Sequence, residues 1–345
     1  MLEIDGSHGE GGGQLLRNAL ALAAITGTAI RVANIRARRA KPGLAPQHLT
    51  AVRAVAAVCG AAVRGLEPGS REIVFAPQPL RGGDFEFDVG TAGAATLVVQ
   101  ALLPALLSAP GPASVRVRGG TDVRAAPPLD YFSRVLLRLL REMGAHIVLE
   151  ERRRGYYPRG GGEVSVATRP GALDALRAEA PGRLHALRGI AQVAHLPGHI
   201  PERMRRAAQS HLGGLGVEPA IEVRVLGDGE AVGQGGAVTL WAETGAGALG
   251  AGRVAERGVP AERLGEAVAL ELASDLAAGV SLDVHAADQV LIYLALARGG
   301  SAFTTRQWSS HAATTAWLIG RFLPARFSVA EQEGRVRVDV APGPA

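Results

Sequence analysis

An α/β (α+β) fold is what these 345 residues predict: three βαβαββ units forming a large domain, with a small α/β domain inserted. Three observations predict it. A strand pattern runs into a glycine turn and then an apolar helix pattern at the start of the chain, and does so again near residue 85. The elements that follow each of these turns come in the same order, which is the mark of an internal repeat. The stretch 184–276 breaks that rhythm with an order of its own.

In the first unit, 2–6 reads as a strand, and a glycine loop leads into a helix that continues through Thr26. A strand at 29–35, a helix at 46–59 and strands at 62–65 and 72–76 complete it. The second unit opens with a strand at 85–89, and GTAGAATLVVQALLPALLSA is its glycine turn and apolar helix. A strand at 114–118, a helix at 129–143 with leucines at helical spacing, and strands at 146–150 and 163–167 follow. The third unit shows helices at 286–297 and 310–323 around a strand at 302–305, then strands at 327–332 and 336–340. Its opening strand is separated from the rest. The intervening stretch reads strand 186–194, helix 201–212, strands 221–225, 238–242 and 249–255, and helix 261–276. The expected division is therefore 1–183 plus 277–345 as the large domain and 184–276 as the inserted one.

Composition narrows the function classes. The chain is 47% hydrophobic and 20% charged, as a globular protein is. It has no run of 18 or more apolar residues, so no membrane span is expected. It starts on a strand-like LEID without a signal-peptide pattern, and its single cysteine, Cys59, allows no intramolecular disulfide; both fit a cytoplasmic location. The formal charge of +5 and a pI near 10.1 suggest a polyanionic partner. Lys41 is the only lysine, and the remaining cations are arginines. Arginine grips phosphate bidentately, although a high-GC genome gives the same bias. A lysine nucleophile could only be Lys41, and its AKPGL context is unlike the KxDG of lysine-dependent ligases.

The polar motifs gather at strand–helix junctions, where α/β sites commonly lie. DGSHGEGGGQLLRNA, from Asp5 to Ala19, is a glycine-rich turn before a helix, a place suited to anions. It matches neither standard nucleotide fingerprint, since GxxxxGK[ST] is absent and Gln14 stands where the third glycine of the dinucleotide pattern belongs. It also carries a carboxylate, Glu10, where a phosphate would sit. Arg36, Arg38, Arg39 and Lys41 cluster in NIRARRAKPG, readable as a solvated loop or as a phosphate grip. GGTD at 119–122 and YYPRGGGEV at 156–164 are further turn-rich loops, the second of which a hairpin connection explains. His195 and His199 have metal-pair spacing but no cysteine or acidic partner nearby. His311 opens the helix pattern SSHAATTAWLIGRFLP, and Asp288 and Gln289 start the helix before it.

Taken in order, GEGGGQLLRNALALAAITG, IRARRAKPGLAPQHLTAV, FDVGTAGAATLVVQALLPALL, GGTDVRAAPPLDY, RGYYPRGGGEV and ADQVLIYLALA followed by His311 resemble the RNA 3′-terminal phosphate cyclases over nearly the whole chain. The resemblance implies three βαβαββ units plus a small thioredoxin-like inserted domain. It implies an ATP-dependent reaction in which a histidine takes AMP, passes it to an RNA 3′-phosphate, and the adjacent 2′-hydroxyl closes a 2′,3′-cyclic phosphate. His311 matches the catalytic histidine. Glu10 matches the carboxylate that holds Mg²⁺ or Mn²⁺, which explains a negative charge inside an anion-binding loop. Arg17, Gln100, Pro127, His285, Asp288 and Gln289 match nucleotide-binding positions, with Pro127 packing on the adenine. Arg36, Arg39 and Gln47 match positions that meet phosphates of ATP or RNA, and Arg38 adds a cation where the family commonly has glycine. His285 stands where a tyrosine commonly stacks on adenine, and Thr315 where an asparagine often follows the nucleophile. The expected partners are ATP and RNA with a 3′-phosphate end, with no membrane, and an exposed edge of the inserted domain would suit a homodimer. The alternatives are a non-catalytic cyclase-like RNA-binding protein of ribosome assembly, which the presence of His311 disfavours, and an enolpyruvyl-transferase-like enzyme on the same repeats.

Overall fold

In the computed structural model, which describes residues 1–343, the three repeats of the sequence become three sheets that share one four-strand order, the second extended by a fifth strand. The first is built from β1 (Leu2–Asp5), α1 (Gly13–Thr26), β2 (Ile30–Ala33), α2 (Pro46–Cys59), β3 (Ala62–Arg64) and β4 (Ile73–Ala76). β1 and β2 run parallel, and the strands lie in the order β1-β2-β4-β3. A parallel pair needs a crossover, and α1 supplies it. The second unit repeats this with β5 (Gly83–Asp88), α3 (Ala95–Leu107), β6 (Ala113–Gly119), a helix α4 at 129–142, β7 (His146–Gly155) and β8 (Gly162–Arg169). The order is β5-β6-β8-β7, again with the first two strands parallel, and a two-residue strand at 231–232, from within the stretch expected to be inserted, adds to the far side of β7. Helix α4 widens to π-helical geometry at Phe132–Leu136.

The separated opening strand of the third unit is β9 (Arg177–Ala178). Two residues are too few to show a strand alternation, which is why the sequence gives no sign of it. The chain then leaves the unit through β10 (Leu184–Ala194), α5 (His199–Leu212), β11 (Pro219–Leu226), β12 (Ala231–Val232), β13 (Gly235–Thr244), β14 (Gly247–Val254) and α6 (Ala261–Ala277). It returns through α7 (Val284–Leu296), β15 (Ser301–Thr305), α8 (Ser310–Ile319), β16 (Arg326–Gln332) and β17 (Arg335–Ala341). β9 pairs parallel to β15 at Ala302↔Arg177 and Phe303↔Ala178, giving the order β9-β15-β17-β16. α8 stops at Ile319, short of the predicted 323, because Gly320 caps it and Pro324 cannot continue it.

Residues 184–254 contribute a fourth sheet, β11-β10-β13-β14. One of its faces carries Leu187, Val193, Leu240 and Leu249 into a core closed by Met204 and Ala208 of α5 and Leu264, Val268 and Leu272 of α6. The other face is reached by α4, where Gly250 makes close approach possible: a Cβ there would lie 2.7 Å from Val135 Cγ2. The main core runs through all three repeats and centres on α3, whose ATLVVQALLPALL is buried nearly all round. A helix apolar on every side has to be internal, and each of its buried leucines contributes about 1.5–3 kcal/mol. Burying α3 brings the N-terminal ends of α1, α2, α7 and α8 towards one region, where the polar residues collect. Among the described residues, no helix is long and apolar enough to cross a membrane.

Candidate active site

The site begins with the turn between β1 and α1. Gly9 has φ +57, and its missing Cβ leaves room for Thr314 Oγ1, which accepts the Glu10 N–H at 3.0 Å. Thr314 in turn donates to Ser310 O at 2.6 Å. The first turn of α8 therefore holds the glycine loop of the first repeat directly. Ser309 caps α8 by accepting the Ala312 N–H, which fixes the helix start two residues before His311.

This junction puts Glu10, 10% exposed, beside His311, 40% exposed, with Glu10 Oε2 3.9 Å from His311 Nδ1. Glu10 Oε1 is paired with Arg39, and Arg38 donates to Gly9 O at 2.7 Å. Arg38 and Arg39 of the basic run thus reach back onto the loop while remaining exposed to solvent. Burial, then Arg39 and Arg17, push the His311 imidazole below its ordinary pKa, so the ring is neutral and its nitrogen lone pair is available. His311 Nδ1 is buried and has no hydrogen-bond partner within the protein.

On the inner side, Arg17 of α1 faces Asp288 of α7. Burial lowers the Arg17 guanidinium to about 10, and burial raises Asp288 to about 7 with Asp283 adding to the rise. Gln14 hydrogen bonds Asp288, and Gln100 Nε2 donates to Gln289 Oε1, which ties α1 and α3 to α7. The start of α7 is set by Asp283, buried to 1%, whose carboxylate accepts the N–H groups of His285 and Ala286, the Tyr131 hydroxyl at 2.7 Å and the Gly250 N–H at 2.9 Å.

The remaining expected site residues lie around this centre with other contacts. Arg36 donates to Gly43 O at 2.7 Å, and Gln47 Oε1 accepts the Ala94 N–H at 2.8 Å at the start of α3. Thr96 donates to Pro127 O at 3.2 Å. His285 reaches Glu271 of α6 at 3.3 Å and meets Tyr131 edge-on at 6.4 Å. The Glu271 hydrogen bond raises His285 to about 9, and hydrogen bonds from His285 and Arg253 hold Glu271 near 2 against its burial. Thr315 faces α1, accepting from Gln14 at 3.4 Å and Asn18 at 3.1 Å.

Beneath the Pro127 loop lies Arg154, 0% exposed. It donates to both oxygens of Asp122, at 3.2 and 3.0 Å, to Asp130 at 2.8 Å and to Glu151 at 2.7 Å. Burial opposes its charge, but the facing carboxylates outweigh that and keep it protonated. Asp122 also accepts the Leu129 N–H at 3.2 Å, so this cluster sets where Pro127 and the start of α4 sit. Two participants had no separate sequence signal. Thr314 shows its part only when α8 meets the glycine loop. His48, one residue after Gln47, is 4% exposed, and its burial and the nearby Arg17 and Arg36 lower it to about 3. Its place at the same helix start as Gln47 is the one hint that the sequence offered.

The donor set decides which metal would fit. Glu10 is a lone carboxylate, and the described residues contain no group of three or more His, Cys, Asp or Glu able to hold a metal on their own. That suits a hard cation completed by phosphate oxygens and water, not a protein-caged zinc. His195, one of the spaced histidines, has its Nε2 3.1 Å from Ala231 O.

A sequence model of the family described as RNA 3′-terminal phosphate cyclase matches residues 8–329. A protein named RNA 3′-terminal phosphate cyclase in Nitrosospira multiformis is 54% identical over 343 residues, covering 99% of this chain and 97% of that one. Proteins of the same name in Pyrobaculum neutrophilum and Methanopyrus kandleri are each 44% identical, covering 98% and 99% of this chain and 98% and 99% of theirs.

Proposed function

The chain belongs to the RNA 3′-terminal phosphate cyclase family, and on that premise we propose that it converts an RNA 3′-phosphate end to a 2′,3′-cyclic phosphate at the expense of ATP. The observation that carries the reading is the pairing of His311 and Glu10, a neutral imidazole 3.9 Å from a half-neutralised carboxylate at a glycine-rich helix start.

In the first step an imidazole nitrogen of His311 attacks the α-phosphorus of ATP. A P–N bond forms, the P–O bond to the β-phosphate breaks, and pyrophosphate leaves. In the second step an oxygen of the RNA 3′-phosphate attacks the same phosphorus, the P–N bond breaks, and His311 is released. In the third the adjacent 2′-oxygen attacks the 3′-phosphorus, loses its proton, and expels AMP. Each step is made easier by what precedes it: the phosphoramidate is labile, AMP is a good leaving group, and the last nucleophile is already adjacent. Because that nucleophile is the 2′-hydroxyl, a DNA end does not complete the reaction.

The chain's own residues bind and orient. Glu10 is the group that would hold Mg²⁺ or Mn²⁺, and such a cation offsets charge on the phosphates during transfer. Arg17 and Arg39 flank the same space with fixed positive charge. Gln100 and Gln289, paired with each other, and Asp288 line the nucleotide side, and Pro127 and His285 are proposed to hold the adenine between them. Arg36, Arg38 and Gln47 stand on the phosphate side. The proposed compartment is the cytoplasm, supported by the single buried Cys59, whose thiol is raised to about 11 by burial.

The test is to incubate the protein with Mg²⁺ and ATP labelled at the α-phosphate, with His311→Ala alongside. The expected result is acid-labile label on the wild type and none on the variant. Label on neither, with ATP shown to bind, overturns the reading.

A further inference from the structure

The fourth sheet has one face that is only partly covered. Strand alternation and register put Arg188, Ile190 and Gln192 of β10, Ala220, Glu222 and Arg224 of β11, and Thr239, Trp241 and Glu243 of β13 on that face. On β14 the same face offers Gly250 and Gly252, and α4 packs there. Near Arg188, Ala220 and Glu222 the β10–β11 half stays open, and between it and α4 runs a groove of about 710 Å³.

Four arginines line this groove: Arg134, Arg138 and Arg141 from α4, and Arg188 from β10, against two glutamates, Glu222 and Glu243. Glu243 is shared by Arg138 at 3.2 Å and Arg188 at 3.0 Å, so those two cations are partly neutralised. Arg134 and Arg141 make no salt bridge among the described residues. Arg134 lies over Trp241 at 5.8 Å, and Arg141 uses only its Nε, on Ile147 O at 3.0 Å, leaving its other nitrogens free. Desolvation and the neighbouring Arg134 push Arg141 below its ordinary value, the mark of a cation that lacks a counterion.

We infer that this groove binds the phosphodiester backbone of the RNA substrate upstream of its 3′ end. The inference rests on the RNA reading above. Chemistry selects this occupant. The apolar floor is closed, with Trp241 6% exposed beneath Arg134 and Ile190 2% exposed, so no pocket is offered to the apolar anchors of a protein partner. No glycine loop or helix start opens into the groove to gather the phosphates of a free nucleotide. Arg134, Arg138 and Arg141 instead follow one helix face at successive turns, about 6 Å and then 4.5 Å of rise apart, which suits charges strung along a strand. The same helix starts beside Pro127 and carries Tyr131 against His285, so it links the groove to the nucleotide side of the site.

The experiment is fluorescence anisotropy with two 5′-labelled RNAs, about twenty and about three nucleotides long, both ending in 3′-phosphate. Wild type is compared with Arg134→Ala/Arg141→Ala and with the charge-keeping Arg134→Lys/Arg141→Lys. Removing both cations should weaken the long RNA about tenfold and lower the salt slope by about 1.4, while the short RNA changes less than about twofold. The lysine pair should restore most of the long-RNA affinity. Unchanged binding of the long RNA, an equal loss for both lengths, or no RNA binding by the wild type overturns the groove assignment. Self-labelling from ATP, measured on the same preparations, reports separately on the proposed catalytic reading and on folding of the variants.

Discussion

Arg154 and Glu10 each stand at the middle of a charge cluster, and the two clusters are completed to different degrees. Arg154 is fully enclosed and is met by three carboxylates, two of them bidentate. Nothing is left over for a ligand. Around Glu10, one carboxylate oxygen faces Arg39, the other faces an imidazole at a distance too long for a hydrogen bond, and the buried Nδ1 atoms of His311 and His48 have no partner. Buried polar atoms are nearly always satisfied, so these two exceptions mark a cluster whose hydrogen bonds the protein does not close by itself. The same types of residue thus build a closed scaffold in one place and an open candidate site in the other. What separates them is closure of the hydrogen bonds.

The contrast is open to direct attack. Its largest expected effect is at the closed cluster: Arg154→Ala strands three facing acids, two of them buried, and should cost about 3–5 kcal/mol, a large share of a typical total stability. Urea unfolding would read it, and a loss below about 1 kcal/mol would show that the cluster is not what fixes the Pro127 loop. At the open cluster the balance should reverse. Glu10→Gln should slow self-labelling from ATP by about 10²–10³-fold while the melting temperature stays within about 2 °C. A fall in stability with activity kept would erase the distinction drawn here.

Thr314→Val tests the join between the two repeats. It leaves the Glu10 N–H without its acceptor and should cost about 1–3 kcal/mol, with a smaller, roughly tenfold loss of self-labelling. The smallest effect belongs to His285 and Glu271. His285 has a folded value of about 9 against an ordinary 6.5, so its share of stability is full below 6.5 and is lost as pH rises through 9. Glu271, held near 2 against an ordinary 4.5, contributes above 4.5 and loses its share as pH falls through 2. The His285 side chain is 60% exposed, and solvent screens the pair. Wild type and His285→Ala should therefore differ by only about 1 °C in melting temperature at pH 6, and by less at pH 10.

How much of this was legible beforehand depends on the range of each contact. The glycine turns, the apolar helix α3 and the repeated element order are local patterns, and the sequence carries them openly. Glu10 and His311 could be singled out because their motifs are recognisable, yet their adjacency joins the first repeat to the third. The part played by Thr314 was not legible at all, because its partner Glu10 is 304 residues away and a threonine in a helix has no distinctive spacing. Arg154 sits in a motif that a hairpin explains, and only its enclosure by Asp122, Asp130 and Glu151 reveals an organising charge. Thr315, one turn from His311 on the same helix face, shows its contacts with Gln14 and Asn18 only when α8 meets α1. The two-residue β9 lay below the length at which alternation can be read.

That short strand also governs when the molecule can first work. Leu176, next to β9, hydrogen bonds Ser301 across 125 residues, so the third sheet stays unfinished until the whole intervening segment has been made. The first sheet closes over a much shorter stretch of chain, from Leu2 to Ala76, and can form earlier, since domains fold largely in order of synthesis. The contact between Thr314 and the Glu10 N–H, which spans 304 residues, joins the third repeat to the first only once the segments on both sides of the insertion are present.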